Sequence, residues 1–303
     1  MSMCLQTPLS NVVYHLAHLA IIEVSGEDTI QFLQGQLTCN INDISESKAS
    51  IAAFCNAKGR VISTLIVAKT PIGFWLILPE SLAETVRKKL QMYVLRSKVT
   101  LCISADLSLF GMSGTEVDPP IVLPDQSFDC LHRQNLTWIR LPSEQPRFLC
   151  IVNLNAGDPP FFNDAPDDSL GTWRYQDISS GFPWFDIAQS EHYIPQMLNI
   201  DQLGGISFNK GCYTGQEIVA RTHYLGKSKR QLYLAECHVN LPTHAELTVL
   251  DAEKQTKCGD IVAMQGLDQN TRMLIVLQTI DDSLKTLILD NHDHTPINLI
   301  AFQ

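Results

Sequence analysis

The residues best placed for chemistry lie in one stretch, SFNKGCYTGQEIVART at 207–222. Cys212 follows Lys210 by two positions, and the residues TGQE at 214–217 match a capping box, which predicts a helix with Thr214 as its N-cap. Gly226 is well placed to end that helix. A thiol near the positive end of a helix, with a lysine close by, can have its pKa lowered so that the nucleophilic thiolate is favoured. The pattern therefore predicts a reactive cysteine.

The same stretch allows a plainer interpretation. Cys212 can be an inert side chain in a tight turn, with Gly211 and Gly215 permitting the backbone. Glu217 can act as a general acid or base, although capping already accounts for it. A nucleophilic pair with a histidine is a third reading, and no spacing selects among the candidates His192, His223 and His238. The residues alone leave these readings open.

Cysteine usage and composition predict the compartment. Nine cysteines are scattered over 303 residues, without a Cys-x-x-Cys pair or the Cys/His spacing of a zinc site. This predicts free thiols in a reducing compartment and no metal site. Neither Lys nor Arg precedes Lys48, and no apolar run reaches the ~18 residues of a membrane span. We therefore expect a cytoplasmic protein, with a monomer as the favoured state.

The charge balance argues against direct binding of nucleic acid. The formal net charge is −10 and the sequence pI is about 5.3, whereas phosphate contacts require concentrated positive charge. We interpret the one local concentration of basic residues as a solvated helix face and helix end: Arg87, Lys88, Lys89, Arg96 and Lys98.

Periodicity predicts a mixed α+β chain. Residues 20–38 indicate a strand, a turn and a helix, with a capping-box variant at 25–28. Residues 49–104 predict a helix packed on an antiparallel sheet, with a capping box at 81–84 and one apolar stripe. That stripe comprises Leu82, Val86, Leu90 and Tyr93.

The second half of the chain changes character. Strands are predicted at 107–112, 136–141 and 147–153, and a helix around 173–180 follows a loop rich in Pro and Asp at 157–171. From about residue 229, short apolar segments recur between polar turns, which predicts a small all-β barrel or sandwich.

Four blocks of the sequence resemble the YgfZ family of folate-binding proteins. KGCYTGQE at 210–217 resembles the family signature, and the resemblance extends to VSGEDTIQFLQGQLT, NAKGRVISTLIV and ISSGFPWFD with IPQMLNIDQLGGISF, in the family's order. It implies a fold like that of the glycine-cleavage T-protein: two mixed α/β domains within residues 1–228 and a carboxyl-terminal β-barrel at 229–303, arranged as a ring around a folate site. It also implies tetrahydrofolate or a one-carbon derivative as cofactor, and support of iron–sulfur enzymes, including those that modify tRNA.

The resemblance assigns roles to individual positions. Lys210 and Cys212 match the functional residues of the signature. Trp173 matches one of two tryptophans that the family places against folate, and Leu19 stands roughly where the other would be. The remaining signature positions are expected to support the motif: Gly211, Tyr213, Gly215, Gln216, Glu217 and Arg221.

One departure bears on the reaction. Where the T-protein carries a catalytic aspartate, this chain has Ser63 and Thr64, whose hydroxyls cannot supply the carboxylate used in aminomethyl transfer. An accessory factor is therefore expected. A folate-dependent one-carbon transferase is the alternative and would need another carboxylate, such as Asp43 or Asp177. A third reading is a partner-binding module with a vestigial pocket. In each case we expect an indirect link to tRNA and, with one motif cysteine, no resident iron–sulfur cluster.

Overall fold

The computed structural model describes residues 12–115, 121–156, 170–226, 228–243, 245–278 and 286–303. In these ranges the chain forms two five-stranded sheets and a closed six-stranded barrel, with helices packed between and against them. The predicted α+β class and the carboxyl-terminal barrel are confirmed. The boundary placed between residues 228 and 229 stays a prediction.

The first sheet is built around a strand that is buried on both faces. Residues VISTLIVAKT form this strand, and nearly every side chain in it is buried, as expected of a central strand covered on both sides. The strand order is β3-β4-β5-β2-β6, with all neighbours antiparallel. The elements of this unit are β2 Leu19–Ser25, α1 Thr29–Gln34, β3 Ser50–Cys55, β4 Val61–Thr70, β5 Gly73–Pro79, α2 Glu80–Val94 and β6 Thr100–Ile103.

Helix α2 covers this sheet with the predicted apolar stripe, except at its end. Leu82, Val86 and Leu90 are fully buried, whereas Tyr93 is 40% exposed and the neighbouring Val94 is buried instead. The capping box predicted at 81–84 is wrong, because the helix begins at Glu80 and the Ser81 hydroxyl donates to Asp186 Oδ1 at 3.2 Å. The box predicted at 25–28 is also wrong, since its first residue belongs to β2.

The second sheet has the strand order β1-β7-β10-β9-β8 and is also antiparallel. Sequence reasoning predicted its three longest strands and missed the short edge strands β1 and β8. Helix α3 packs against β1 of this sheet and against β13 and β14 of the barrel. Most of the loop predicted at 157–171 lies outside the described residues. The elements are β1 Val12–His15, β7 Leu107–Ser113, β8 Cys130–Arg133, β9 Leu136–Arg140, β10 Arg147–Asn153 and α3 Leu170–Ser179.

The carboxyl-terminal strands close into a barrel in the order β11-β14-β13-β12-β15-β16, with β16 pairing back onto β11. Closure leaves no open sheet edge. One side of the barrel joins the core shared by the other units, and its interior forms a second apolar cluster. Its strands are β11 Arg230–Cys237, β12 Thr248–Asp251, β13 Thr256–Leu267, β14 Asn270–Gln278, β15 Leu287–Leu289 and β16 Pro296–Ile300.

A connecting segment at 182–199 ties these units to the signature helix, α4 Gln216–Leu225. Gln196 Nε2 donates to the carbonyl of Val219 in α4 at 2.7 Å, and Asn199 Nδ2 donates to the carbonyl of Leu232 in β11 at 3.1 Å. Both side-chain bonds are buried, so the helix and the barrel are held to the same short segment.

The basic residues around α2 are largely neutralised by neighbours. Arg87 and Lys88 both pair with Glu84, Lys89 pairs with Glu191, and Lys98 pairs with Glu27, at nitrogen–oxygen distances of 2.6–3.3 Å. This arrangement fits the predicted solvated helix face.

No helix in the described parts of the chain combines the length and the apolar composition that crossing a lipid bilayer requires.

Candidate functional site

Gly215 brings the signature into contact with the first sheet. Its φ of +83° lies in the left-handed region, and an added Cβ would lie 2.5 Å from the carbonyl oxygen of Asn56 and 2.8 Å from Cα of Gly59. Only glycine fits this conformation and this approach without strain. The turn between β3 and β4 therefore packs directly against the start of α4.

The capping box predicted at 214–217 is wrong. Helix α4 begins at Gln216 with Gly215 in the N-cap position and no side-chain cap. Thr214 points instead toward the α1 region, where its hydroxyl donates to Gln36 Oε1 at 3.3 Å and its amide to the carbonyl of Gly35 at 3.2 Å. The predicted end of the helix at Gly226 is confirmed.

Lys210 clamps the signature to the chain that follows α1. Its ammonium donates to the carbonyls of Leu37 at 2.7 Å and Cys39 at 2.6 Å, and it lies 5.1 Å from the ring centre of Tyr213. Burial lowers the pKa of Lys210 from 10.5 to about 8. No hydrogen bond joins Lys210 to Cys212 within the described residues, so activation of the thiol by this lysine stays a prediction.

The lowered pKa of Lys210 predicts a pH-dependent difference in stability between the wild type and Lys210→Met. Between pH 8 and 10.5 the folded state has released the Lys210 proton, while the unfolded chain still holds it, so rising pH favours folding. We expect the free energy of unfolding of the wild type to rise relative to that of the variant from pH 8 to 10, with no change below pH 8. Urea unfolding of both proteins at pH 7–10 measures this, since subtraction cancels the other titrating groups. Parallel curves would contradict it.

Cys212 is one of two exposed cysteines in the described part of the chain; the other is Cys102. Burial raises the pKa of Cys39 and of Cys130 to about 12, which keeps both thiols protonated at neutral pH. Burial also raises the pKa of Cys150. The thiol of the signature is therefore accessible to a large partner, whereas these buried thiols are not.

The other signature positions divide into buried and exposed sets. Tyr213 is buried, and its hydroxyl has no hydrogen-bond partner among the described residues. Gln216 is half-buried, whereas Glu217 and Arg221 are exposed. An added Cβ on Gly211 would meet nothing within 4 Å. Support by these residues stays a prediction, apart from the packing already described for Gly215.

The histidines weighed for a nucleophilic pair have other neighbours. His223 stacks on Phe208 with ring centres 3.7 Å apart, and His238 Nδ1 bonds to Asn270 Oδ1 at 2.9 Å. The ring of His192 lies 6.2 Å from that of Tyr193. Within the described residues none of the three histidines is hydrogen-bonded to Cys212.

A cleft of about 610 Å³ lies between the connecting segment, helix α3 and the barrel. Aromatic side chains line part of it, with the rings of Phe182 and Trp184 4.7 Å apart. Residues 261–264 of β13 form an apolar part of the wall. Sequence reasoning missed Trp184, although it lies within a block that carried the family resemblance. Lys210 and Cys212 do not line this cleft.

The polar residues that line the cleft include Arg174 and Asp177 of α3 and His18 of the turn before β2. Asp177 Oδ1 accepts a hydrogen bond from the guanidinium of Arg147, and both members of this ion pair are buried. Burial raises the pKa of Asp177, against the opposing effect of Arg147. Burial, together with the charge of Arg174, lowers the pKa of His18 to about 3, so His18 is neutral at physiological pH.

Trp173 and Leu19 lie beside the cleft without lining it. Trp173 is fully buried: its ring centre is 5.3 Å from that of Tyr14, and the Arg147 guanidinium lies 4.1 Å above it. Leu19 is buried at the start of β2, opposite Pro79. Contact of these two side chains with folate stays a prediction.

The hydroxyls that replace the T-protein aspartate have partners of their own. Thr64 donates to the carbonyl of Pro183 at 2.8 Å, and Ser63 donates to the carbonyl of Thr64 at 2.7 Å, with both side chains buried. Of the two carboxylates considered as substitutes, Asp177 lines the cleft and Asp43 lines a different, surface pocket. No group of three or more His, Cys, Asp or Glu side chains in the described ranges could hold a metal ion.

Comparison with solved structures defines the class. The structure matches the aminomethyltransferase T of the glycine cleavage system from Bartonella henselae with a TM-score of 0.76 and 12% sequence identity, over 97% of this chain and 86% of that one. The fold is therefore that of the glycine-cleavage T-protein, as the sequence resemblance implied. No protein-family model matches the chain.

Curated relatives define the family. The chain is 32% identical to the tRNA-modifying protein YgfZ of Colwellia psychrerythraea over 281 residues, which cover 90% of this chain and 86% of the relative. It is 35% identical to that of Sodalis glossinidius, over 83% and 80% of the two chains, and 32% identical to that of Klebsiella pneumoniae, over 86% and 83%. The chain belongs to the YgfZ family.

Proposed function

We propose that this protein is a tetrahydrofolate-binding accessory factor that supports the synthesis or repair of iron–sulfur enzymes, including enzymes that modify tRNA, with Cys212 as its key thiol. The observation that carries the proposal is the aromatic-lined cleft, where a buried carboxylate oxygen of Asp177 has no hydrogen-bond partner among the described residues.

The cleft suits tetrahydrofolate in size and chemistry. Its volume of about 610 Å³ lies within the range of roughly 300–1,000 Å³ typical of ligand sites, which combine apolar walls with a few placed polar groups. Phe182 and Trp184 would pack against the planar ring, and Asp177 would accept hydrogen bonds from ring nitrogens. When bound, tetrahydrofolate supplies a carrier for one-carbon units.

The exposure of Cys212 supports the proposal that its thiol acts on other proteins. Cys212 lies on the surface beside a helix whose start is fixed by Gly215 and whose preceding loop is clamped by Lys210. One cysteine cannot supply the four ligands usual for an iron–sulfur cluster, so the cluster belongs to the client protein. The curated relatives are named tRNA-modifying proteins, which favours clients that modify tRNA, and the net charge of −10 favours an indirect link to the RNA.

The test compares Cys212→Ala with Cys102→Ala, since both cysteines are exposed. We expect saturable binding of reduced tetrahydrofolate to the wild type and to both variants in anaerobic calorimetry. In a strain lacking the protein, we expect the Cys102 variant to restore the activity of an iron–sulfur tRNA-modifying enzyme and the Cys212 variant to lose most of that rescue. Full rescue by Cys212→Ala would contradict the thiol role, and absence of binding to the wild type would contradict the folate role.

A folate-dependent one-carbon transferase remains the second candidate, because Asp177 places a carboxylate in the cleft and burial raises its pKa. A carboxyl group with a raised pKa holds a proton more readily than an ordinary carboxyl group, which suits a general acid. Formation of methylenetetrahydrofolate from an aminomethyl or N-methyl donor would support this reaction. Its absence across a panel of such donors would count against it.

A further inference from the structure

Two polar side chains in the cleft lack the hydrogen bonds that buried groups normally make. Asp177 is 3% exposed, and its Oδ2 has no partner within the described residues, although Oδ1 receives the Arg147 guanidinium. Neither ring nitrogen of His18 has a partner there either. A buried donor or acceptor without a hydrogen bond destabilises the ligand-free protein. Stability therefore does not explain these two side chains, whereas a role in binding a ligand does.

Both side chains belong to one neighbourhood and are held in place. They line the same cleft as Arg174, whose charge acts on both of them. The carbonyl of His18 accepts the amide of Glu80 at 2.8 Å, which fixes the histidine at the start of α2. Asp177 is held in the last turn of α3 by its buried ion pair with Arg147. The backbone of His18 and the carboxylate of Asp177 are therefore held in place before a ligand binds.

The free atoms define what a ligand must present. A carboxylate oxygen only accepts hydrogen bonds, whereas a neutral imidazole donates from one nitrogen and accepts at the other. The complementary ligand edge has adjacent N–H donors for Asp177 and an acceptor for the N–H of His18. In a reduced pterin, the 2-amino group and N3–H are such donors, and the neighbouring 4-oxo group is such an acceptor.

We propose that Asp177 and His18 are the specificity pair of the cleft, which recognises the 2-amino-4-oxo edge of the pterin ring while the adjacent rings of Phe182 and Trp184 form an aromatic wall beside it. This inference rests on the proposed binding of tetrahydrofolate in the cleft. The two side chains recognise one particular edge of the pterin ring.

His18→Leu separates recognition from folding. Because the imidazole has no partner in the described residues, its removal is expected to leave the free energy of unfolding unchanged or raised, while the affinity for tetrahydrofolate falls about tenfold, as for the loss of one hydrogen bond. The matched control is His15→Leu, an exposed histidine on β1 that does not line the cleft. We expect the control to leave affinity unchanged.

Asp177→Asn replaces the free hydrogen-bond acceptor of Asp177 with a donor. The asparagine oxygen can still accept from Arg147, and its NH₂ group would then face the N–H donors of the ligand. We expect the affinity for tetrahydrofolate to fall about 10–100-fold, because a charge-assisted hydrogen bond is replaced by opposed donors. Asp251→Asn, at a buried aspartate of the barrel outside the cleft, controls for the loss of a buried carboxylate.

If the Asp177 variant fails to fold, two ligands can test the specificity pair with the wild-type protein alone. We expect 6-methyltetrahydropterin to bind at least tenfold more tightly than its counterpart without the 2-amino group. Equal affinity for the two ligands, or unchanged affinity in a folded His18 variant, would overturn the specificity pair while tetrahydrofolate binding to the wild type still stood. Failure of the wild type to bind either tetrahydrofolate or the pterin would overturn both proposals.

Discussion

Trp173→Ala is expected to lower the free energy of unfolding by about 3–5 kcal/mol, the range found when a large aromatic side chain is removed from a core. Its ring fills the space that Gly111 leaves open, where an added Cβ would lie 2.5 Å from the indole. The Arg147 guanidinium also packs over the ring, 4.1 Å from its centre. Removing the ring therefore opens a cavity and loosens the ion pair that positions Asp177. Urea unfolding measures the loss.

Trp184→Ala is the matched comparison, because Trp184 is partly exposed and lines the cleft. We expect a smaller loss of stability and a direct loss of tetrahydrofolate affinity. Calorimetry corrected for the folded fraction separates the two tryptophans. If folded Trp173→Ala bound tetrahydrofolate more weakly than folded Trp184→Ala did, the family's tryptophan contact would hold for Trp173, and the supporting role argued from its burial would be wrong.

Gly215→Ala is expected to lower the free energy of unfolding by about 2–5 kcal/mol. A left-handed conformation costs a residue with a Cβ about 1–2 kcal/mol, and steric overlap in a packed region typically costs 1–3 kcal/mol more. Here the added Cβ would meet the carbonyl oxygen of Asn56 at 2.5 Å. Relief of that contact would separate the start of α4 from the first sheet, so the rate at which Cys212 reacts with a thiol reagent should also change.

Gly211→Ala provides the control within the same motif. An added Cβ there meets nothing within 4 Å, so we expect a change within about 0.5 kcal/mol, as for an ordinary surface substitution. The free energy of chemical unfolding and the labelling rate of Cys212 are measured for both Gly215→Ala and Gly211→Ala and compared. Equal losses at the two glycines would show that the close approach at Gly215 is not what holds the motif.

Local patterns in the sequence predicted the elements well and their ends less well. The strands of the first sheet and the stripe of α2 are properties of short windows, and they formed as predicted except at Tyr93, which is exposed. The capping boxes failed because distant partners took the capping side chains: Thr214 bonds to Gln36, and Ser81 bonds to Asp186. Such competition between local and tertiary hydrogen bonds has no signature in the sequence.

The cleft could not be predicted from local sequence patterns, because it depends on contacts between residues distant in the chain. His18 lies before β2, far along the chain from Asp177 and Trp184, and no sequence pattern indicates that His18 meets them. The family resemblance pointed to the neighbourhood through Trp173, whereas the structure places Trp184 on the cleft wall and Trp173 behind it. Lys210 was predicted as a partner of Cys212, and the structure adds two backbone carbonyls that its ammonium holds.

The cleft and the exposed Cys212 share no residue, and this separation has a kinetic consequence. Under the proposed function, a client protein at the thiol and a folate in the cleft would not compete for the same residues, so a ternary complex could assemble in either order. Raising the concentration of one would then leave the apparent affinity for the other unchanged, as in a random-order scheme without interaction. Under this scheme the folate can stay bound through many encounters with clients, in the manner of a prosthetic group rather than a co-substrate.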